Sequence, residues 1–223
     1  MRVGVAGVGR IGRLHARTLT EHPEVTSVAV TDVDSSRAEE VASSVGAEPV
    51  KSFAELIGRV DAVVIATTTT SHGELIQAAV DACVPTYCEK PIATDLDSTR
   101  AVIEGVQASA VPVQMGFQRR FDPGYQAAAE LVASGGLGTL YVVRTAGHDP
   151  EPPWEDYIAH SGGIFGTSAC TTLTLCDSSQ ARRSARCMRK APCAVSRSSR
   201  PMATWTRQRR RSCCRVGLWG SCR

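Results

Sequence analysis

The feature that most constrains the fold of this chain is a glycine pattern between an apolar strand and a helix. Residues 3–12 read VGVAGVGRIG, in which Gly7, Gly9 and Gly12 fit G-x-G-x-x-G. Gly7 permits a tight turn, Gly9 lets the backbone approach a pyrophosphate, and Gly12 allows close packing of the helix. The alternative is a glycine turn without a ligand. The pattern predicts that five residues bind a dinucleotide: Gly7, Gly9, Arg10, Ile11 and Gly12.

An acidic residue follows the glycine pattern at the spacing that dinucleotide sites require. Asp32 ends the second apolar strand, VTSVAVTD (25–32), twenty residues after Gly12. Its carboxylate would accept hydrogen bonds from the adenosine ribose and would repel a 2′-phosphate, so the sequence favours NAD over NADP as cofactor. The alternative for Asp32 is a residue that caps the glycine turn. Asp34 is interpreted as a solvated loop acid.

Strand and helix patterns alternate along the first half of the chain. Apolar runs predict strands at 2–6, 25–32, 61–67, 85–90 and 111–117. The segments between them predict helices at 10–22, 35–45, 52–58, 71–83 and 95–108, with Ser35 as the N-cap of the second. This alternation predicts an α/β fold with a doubly wound parallel sheet covered on both faces. A helix at 122–134 and a strand at 138–147 would open a second unit.

Two strings carry a resemblance to a known family. CEKP (88–91) and MGFQRRFDPGY (115–125) are similar to segments of the glucose–fructose oxidoreductase/inositol dehydrogenase/MocA family, and most similar to its inositol 2-dehydrogenase branch. The resemblance implies a Rossmann NAD-binding domain at 1–118. It also implies that residues 119–165 start an α/β open-sheet domain, which carries much of the substrate site and the oligomer contacts. The implied activity is NAD-dependent oxidation of a secondary hydroxyl of a cyclic polyol or sugar.

The resemblance assigns the catalytic role to Lys90 of the EKP string, in contact with the substrate hydroxyl and the nicotinamide ribose. A lysine at the carboxyl end of a strand faces the crevice in which open parallel sheets bind ligands. Its ammonium could polarise an alcohol oxygen and stabilise developing negative charge. The alternative is a surface lysine. Glu89 is grouped with Lys90 as a cofactor-binding residue.

The loop TTTTSH (67–72) occupies the place where the family often has a Pro-Asn pair before a helix. Thr67 and His72 are therefore predicted to contact the cofactor. His72 matches a histidine of the family, and its alternative role is that of a helix-start residue.

Four further residues match family positions and keep two interpretations each. Arg119, Arg120 and Tyr125 would line the domain junction, with exposed salt bridges as the alternative for the arginines. His148 would lie on the substrate side, with an ordinary loop histidine as the alternative.

The composition changes abruptly after Phe165. Residues 166–223 hold 13 of the 25 Lys and Arg, seven of the nine cysteines and one acidic residue, whereas the first 165 residues carry 12 basic and 21 acidic residues. In the family, an Asp and a His four residues later follow a Gly-Gly. Gly162-Gly163 is present here, but residues 166–175 read GTSACTTLTL and offer no general base for the hydroxyl proton.

A shift of reading frame accounts for this change. If one base is missing at codon 165, one permitted reading of the following codons is RDICVHDFDFVRFVTG, which restores the Asp and the His. The string MATWTRQ (202–208) likewise becomes GDVDTA, in which the single codons of Met202 and Trp205 force the first Gly and the second Asp. We therefore expect residues 166–223 to form an irregular, out-of-frame tail and the truncated chain to be catalytically impaired.

Two other functions stay open at this point. One is a non-catalytic NAD-binding module. The other is nucleic-acid binding through RQRRR (207–211), against which the interleaved Cys and Ser, without lysine or stacking aromatics, argue. No metal site is expected, because Cys213-Cys214 has no second ligand pair at zinc spacing.

Location and assembly are further expectations. No apolar run approaches 18 residues, so no membrane span is expected. The lack of a signal-peptide pattern, with Cys83 and Cys88 as free thiols, favours the cytoplasm. The family resemblance implies a homo-oligomer, with a small polyol or sugar as the other partner.

Overall fold

The computed structural model describes residues 1–139, which are divided between two compact units with the boundary in the chain after Arg119. The predicted strand at 138–147 lies largely outside the described residues. His148 and the predicted tail at 166–223 lie wholly outside them.

The first unit is built on one six-stranded parallel sheet. Its strands are β1 Arg2–Ala6, β2 Ser27–Thr31, β3 Glu48–Pro49, β4 Ala62–Ile65, β5 Thr86–Glu89 and β6 Val113–Gly116. Their order in the sheet is β3-β2-β1-β4-β5-β6, and every neighbouring pair is parallel. The order reverses between β1 and β4, which makes the carboxyl ends of these two strands a topological switch point. The expected doubly wound sheet is confirmed.

Helices connect the strands. They are α1 Arg10–Thr20, α2 Ser35–Val45, α3 Phe53–Ile57, α4 Thr69–Asp81 and α5 Leu96–Gln107. After the last strand come a 3₁₀ turn at Gln118–Phe121 and α6 Pro123–Ala133, which belongs to the second unit. Within residues 1–139, no helix is long and apolar enough to cross a membrane.

Two apolar clusters pack on opposite faces of the sheet. Val5 and Val30 point to the face that α1 and α2 cover, where they meet Ala16 and Val41. The alternate strand residues point to the other face and pack under α3 and α4, in a cluster that includes Ala6, Val63, Ile65, Leu56 and Ile76. Because both faces are covered, the strands are apolar on both sides, as is typical of a parallel sheet.

The start of α2 differs from the sequence-based expectation. Asp34, and not Ser35, is the N-cap: its backbone is extended, and its carboxylate accepts hydrogen bonds from the N–H groups of Ser36 and Arg37. Ser35 is already the first helical residue. The prediction of Ser35 as the cap was therefore wrong, because a carboxylate one residue earlier satisfies the free N–H groups of the first turn.

Candidate cofactor and active site

Two of the three pattern glycines are required by close backbone packing. Gly7 has φ +82°, and a Cβ added to it would lie 2.7 Å from the backbone N of Thr67. A Cβ on Gly12 would overlap the carbonyl oxygen of Gly7. The turn between β1 and α1 therefore packs directly on the loop that follows β4, and only glycine fits at these two positions.

Gly9 faces open space instead. A Cβ on Gly9 would meet no atom within 4 Å, and Gly9 is the N-cap of α1 with no side-chain hydrogen bond to the helix. The N–H groups of Arg10, Ile11 and Gly12 have no partner within an α-helix, because they belong to its first turn. The first turn of α1 contains no acidic residue. Backbone donors and the helix dipole at an open glycine fit a phosphate group.

The helix caps distinguish the switch point from the rest of the sheet. Among residues 1–139, the side chains of Asp34, Ser52, Asp95 and Asp122 cap helices α2, α3, α5 and α6. The two α-helices without a side-chain cap are α1 and α4, which follow β1 and β4. The uncapped helix starts thus flank the crevice in which a doubly wound sheet binds its ligand.

Asp32 braces the glycine turn. Its Oδ2 accepts a hydrogen bond of 2.8 Å from the N–H of Val8, and its Oδ1 accepts one of 3.1 Å from the N–H of Asp34. The side chain is only 5% exposed. These hydrogen bonds match the alternative role of Asp32, that of a residue that caps the glycine turn. Each carboxylate oxygen has two lone pairs, so a ribose contact is compatible with the bracing and stays a prediction.

Arg37 was missed in the sequence analysis. Its guanidinium lies 3.3 Å from Oδ1 of Asp32 and 3.3 Å from Oδ2 of Asp34, and its side chain is 46% exposed. The signal was the spacing of an acid, a second acid two residues later and an arginine three residues after that, which places all three charges around the first turn of α2. A cofactor ribose at Asp32 would therefore meet a cation as well as a carboxylate.

Lys90 follows β5 at the same edge of the sheet as the glycine turn. It is half-buried, and its peptide bond to Pro91 is cis. In the part of the chain that the structure describes, no ion pair or hydrogen bond engages its ammonium. A cation at this edge whose ammonium lies outside any close ion pair of the described residues is able to polarise a substrate oxygen. The catalytic role remains a prediction.

Glu89 is held by two aromatic side chains instead of facing the crevice freely. Its Oε1 lies 2.9 Å from Nε2 of His15 on α1 and 3.4 Å from the hydroxyl of Tyr87, which donates to it. The rings of His15 and Tyr87 meet edge to face with centroids 5.4 Å apart. A Cβ on Gly116 would lie 2.6 Å from the Tyr87 hydroxyl oxygen, so glycine makes room for this cluster.

The cluster has defined charge states. Burial by itself raises the pKa of Glu89, but the hydrogen bond from His15 and the charges of His15 and Lys90 outweigh it and hold the pKa below its usual value. Burial, and then the charge of Glu89, raise the pKa of Tyr87 to about 12. Burial likewise raises the pKa of the Cys88 thiol. At neutral pH, Glu89 is therefore ionised and Tyr87 and Cys88 are protonated.

His72 lies inside the protein. Its side chain is among the fully buried ones, with 1% exposure, and its two ring nitrogens face backbone carbonyls: Nδ1 lies 2.7 Å from the oxygen of Pro91 and Nε2 lies 3.2 Å from the oxygen of Thr67. Both polar atoms of the ring are thus directed at the protein. The prediction of a direct cofactor contact gains no support from this geometry, whereas the neighbouring Thr67 lies in the loop that touches Gly7.

The remaining candidates lie near the end of the first unit or beyond it. Arg119 and Arg120 belong to the 3₁₀ turn and are exposed, and the backbone N–H of Tyr125 donates to Asp122 at the start of α6. Their roles stay predictions. Cys83 and Cys88 are free thiols. Within residues 1–139, no group of three or more His, Cys, Asp or Glu side chains is placed to hold a metal ion.

Comparisons with known proteins agree with this geometry. The profile of the oxidoreductase family with an NAD-binding Rossmann fold matches residues 1–117. The chain is 37% identical over 166 residues to inositol 2-dehydrogenase of Rhizobium meliloti (strain 1021), covering 74% of this chain and 50% of that protein. The chain spans about half the length of the curated relatives that it matches.

Solved structures give the same result. A myo-inositol dehydrogenase from Corynebacterium glutamicum ATCC 13032 has a TM-score of 0.70 and 34% identity, covering 80% of this chain and 54% of that one. A scyllo-inositol dehydrogenase from Lactobacillus casei with bound cofactor NAD(H) and scyllo-inositol has a TM-score of 0.57 and 28% identity, covering 62% of this chain and 42% of that one. With the matched profile covering more than half of the chain, the protein belongs to the oxidoreductase family of glucose–fructose oxidoreductase, inositol dehydrogenase and MocA, which has an NAD-binding Rossmann fold.

Proposed function

We propose that this chain carries the cofactor half of an NAD-dependent dehydrogenase that oxidises a secondary hydroxyl of a cyclic polyol, with inositol as the leading candidate. The observation that carries the proposal is the shared edge of the sheet: the open Gly9 turn, Asp32 and Lys90 all follow parallel strands at their carboxyl ends. The names of the similar proteins, inositol dehydrogenases, support the substrate class.

The residues present fit a dinucleotide. The pyrophosphate would lie on the start of α1, over Gly9, and the adenosine ribose would lie beside Asp32 at the end of β2. Bound NAD would supply the hydride acceptor for the alcohol carbon. NAD is proposed in preference to NADP because a 2′-phosphate would approach the carboxylates of Asp32 and Asp34. The Arg37 guanidinium, which could otherwise bind a 2′-phosphate, is already paired with both carboxylates.

Lys90 would orient the substrate hydroxyl and stabilise negative charge on its oxygen as the proton leaves. The reaction also needs a general base that accepts this proton, and the sequence lacks the one that the family resemblance implies. The Asp and His that the family resemblance places after Gly162-Gly163 are absent from residues 166–175. Removal of a general base lowers a rate by about 10²–10⁴-fold, so we propose that this chain binds NAD and turns over little substrate.

This absence is also the observation that favours the second candidate, a non-catalytic NAD-binding module. Both candidates predict cofactor binding, and they differ in whether the chain retains any polyol-dependent reduction of NAD.

Titration of the purified chain with NADH and NADPH, followed by nicotinamide fluorescence, tests the proposal. We expect NADH to bind more tightly than NADPH by about tenfold, which corresponds to about 1.4 kcal/mol. Lys90→Met should weaken NADH binding, whereas Lys51→Met, at an exposed position outside the site, should leave it unchanged.

A polyol assay separates the two candidates. Reduction of NAD that depends on myo-inositol and is lost in Lys90→Met supports the dehydrogenase. Binding of NADH without any reduction supports the module. If the chain binds neither NADH nor NADPH, the proposed cofactor function is wrong.

A further inference from the structure

One buried histidine connects the two loops that border the candidate nicotinamide side of the site. His72 lies one turn inside α4, has 1% exposure, and directs Nδ1 at the carbonyl oxygen of Pro91 and Nε2 at that of Thr67. A buried imidazole whose two nitrogens both face backbone carbonyls has no polar atom left for a substrate. Its contacts instead fix the distance between two segments that are separated in sequence.

Both segments belong to the candidate cofactor and active site. Thr67 lies in the loop after β4, and a Cβ on Gly7 would lie 2.7 Å from its backbone N and Cα. Pro91 follows Lys90 directly, after the end of β5. A shift of the Thr67 carbonyl would therefore move the loop on which the glycine turn packs. A shift of the Pro91 carbonyl would move the backbone that carries the Lys90 side chain.

The position of the cofactor gives this connection a specific consequence. In a doubly wound sheet, the dinucleotide crosses the switch point with one nucleotide over each half of the sheet. Asp32 and the start of α1 would hold the adenosine half, so the loops after β4 and β5 would receive the nicotinamide nucleoside. These are the loops that His72 joins.

We propose that His72 is a positioning residue for the nicotinamide half of the cofactor: it holds the Thr67 loop and the Lys90–Pro91 segment at the spacing that the nicotinamide nucleoside requires. The inference rests on the proposed NAD binding. A positioning role differs from a general structural role in what a substitution changes. A substitution of a positioning His72 weakens binding of the nicotinamide half only, whereas loss of a residue that stabilises the whole domain weakens binding of both halves.

Two ligands distinguish these roles. ADP contains the adenosine and pyrophosphate part of the cofactor and lacks the nicotinamide nucleoside, whereas NADH contains both. We expect His72→Phe, which fills the buried space but donates no hydrogen bond, to weaken NADH binding about tenfold, since it removes the ring nitrogens that face the carbonyls of Thr67 and Pro91. ADP binding should change by less than about twofold. Both affinities are measured by calorimetry on the full chain.

Two conservative variants test the geometry in more detail. In His72→Asn the amide nitrogen lies near the place of Nδ1, and in His72→Gln it lies near that of Nε2. Because the Nδ1 contact to Pro91 is the shorter one, Asn should restore more of the NADH affinity than Gln. These variants also keep the test valid if His72→Phe does not fold.

The matched control is Thr86→Val. Thr86 is buried, with 5% exposure, and its hydroxyl donates to the carbonyl of Val84 at the opposite end of β5. This variant removes a buried side-chain hydrogen bond to a carbonyl without touching the site, so the ratio of NADH to ADP affinity should stay at the wild-type value.

The outcomes are distinct. A selective loss of NADH affinity in the His72 variants supports the proposal. Equal weakening of NADH and ADP, or no change in either, overturns it, and His72 is then a structural residue of the core. If the wild-type chain binds neither ligand, the proposed function itself fails, together with the inference that rests on it.

Discussion

At the scale of single residues, the three glycines of the pattern are not equivalent. Gly7 is constrained by its positive φ and by the Thr67 backbone, and Gly12 by the carbonyl oxygen of Gly7. No atom of the described residues 1–139 constrains Gly9. Protein packing therefore does not explain why position 9 is glycine. We propose that the bound cofactor occupies the space that a side chain at this position would fill. Substitution of Gly12 should therefore mainly lower the stability of the domain, whereas substitution of Gly9 should mainly weaken cofactor binding.

Substitution by alanine tests this separation. Gly12→Ala should destabilise the domain by about 3 kcal/mol, because its Cβ must displace backbone. Gly9→Ala should cost only about 1 kcal/mol, the usual loss of a helix N-cap, and yet abolish most NADH binding. Urea unfolding and NADH titration measure the two effects.

The control for both variants is Gly58→Ala, because a Cβ there would make only ordinary contacts of 3.6 Å and the φ of Gly58 is −73°. Its stability should lie within about 0.5 kcal/mol of the wild type. A Gly12→Ala variant as stable as this control would contradict the close packing of the turn.

At the scale of elements, β5 and α1 are joined by the cluster of His15, Tyr87 and Glu89 beside Lys90. The pKa of Tyr87 is raised to about 12 by burial and by the charge of Glu89. In the unfolded chain the tyrosine ionises near pH 10. The folded state therefore binds more protons between about pH 10 and about pH 12, so this group's contribution to stability is lost as the pH rises through that interval.

Alkaline titration checks the assignment. The phenolate absorbance of the wild type minus that of Tyr87→Phe should show a transition near pH 12. The free energy of unfolding should also fall less between pH 8 and pH 11 in Tyr87→Phe than in the wild type. A difference spectrum with its midpoint near pH 10 would mean that Tyr87 is not buried against Glu89.

The elements also show what the sequence could predict. Helix α2 spans the predicted 35–45, since its periodicity and polar start are local signals. Strand β3, Glu48–Pro49, was not predicted, because two residues at a sheet edge carry no apolar pattern. The contact of His15 with Glu89 joins residues 74 positions apart, and it follows only from the strand order that places β5 near α1.

At the scale of the whole molecule, the candidate site also has some features that the sequence predicts and others that only the folded structure shows. The glycines, Asp32 and Lys90 could be predicted, because each stands in a short string with a known consequence for a strand end. Arg37 and the two carbonyl contacts of His72 could not, since they depend on how side chains pack after folding. The strand-end positions of the residues proposed to bind the cofactor are therefore visible in the sequence, whereas the side-chain contacts around them are not. Cofactor binding by these residues stays a prediction.

The substrate half of the proposed function depends, by the family resemblance, on residues after Phe165. The reading-frame hypothesis states that one base is missing at codon 165, and it makes a prediction about the gene as a whole. Insertion of one base there should give a longer open frame that restores an Asp, a His four residues later and a balanced composition. We expect the resulting protein to reduce NAD with myo-inositol at least about 10²-fold faster than the present chain, because it regains a general base.

The matched control for this comparison is the same longer protein with the restored histidine replaced by asparagine. It should keep the NADH affinity of its parent and lose the gain in rate, since the cofactor residues up to Lys90 are identical in both proteins. Steady-state assays and NADH titration of the three proteins give the result. If the shifted frame meets a stop codon within a few residues, or if the longer protein is no faster, the basic and cysteine-rich segment is a genuine part of the protein. The chain is then better explained as an NAD-binding module, whose partner must be sought through residues 166–223.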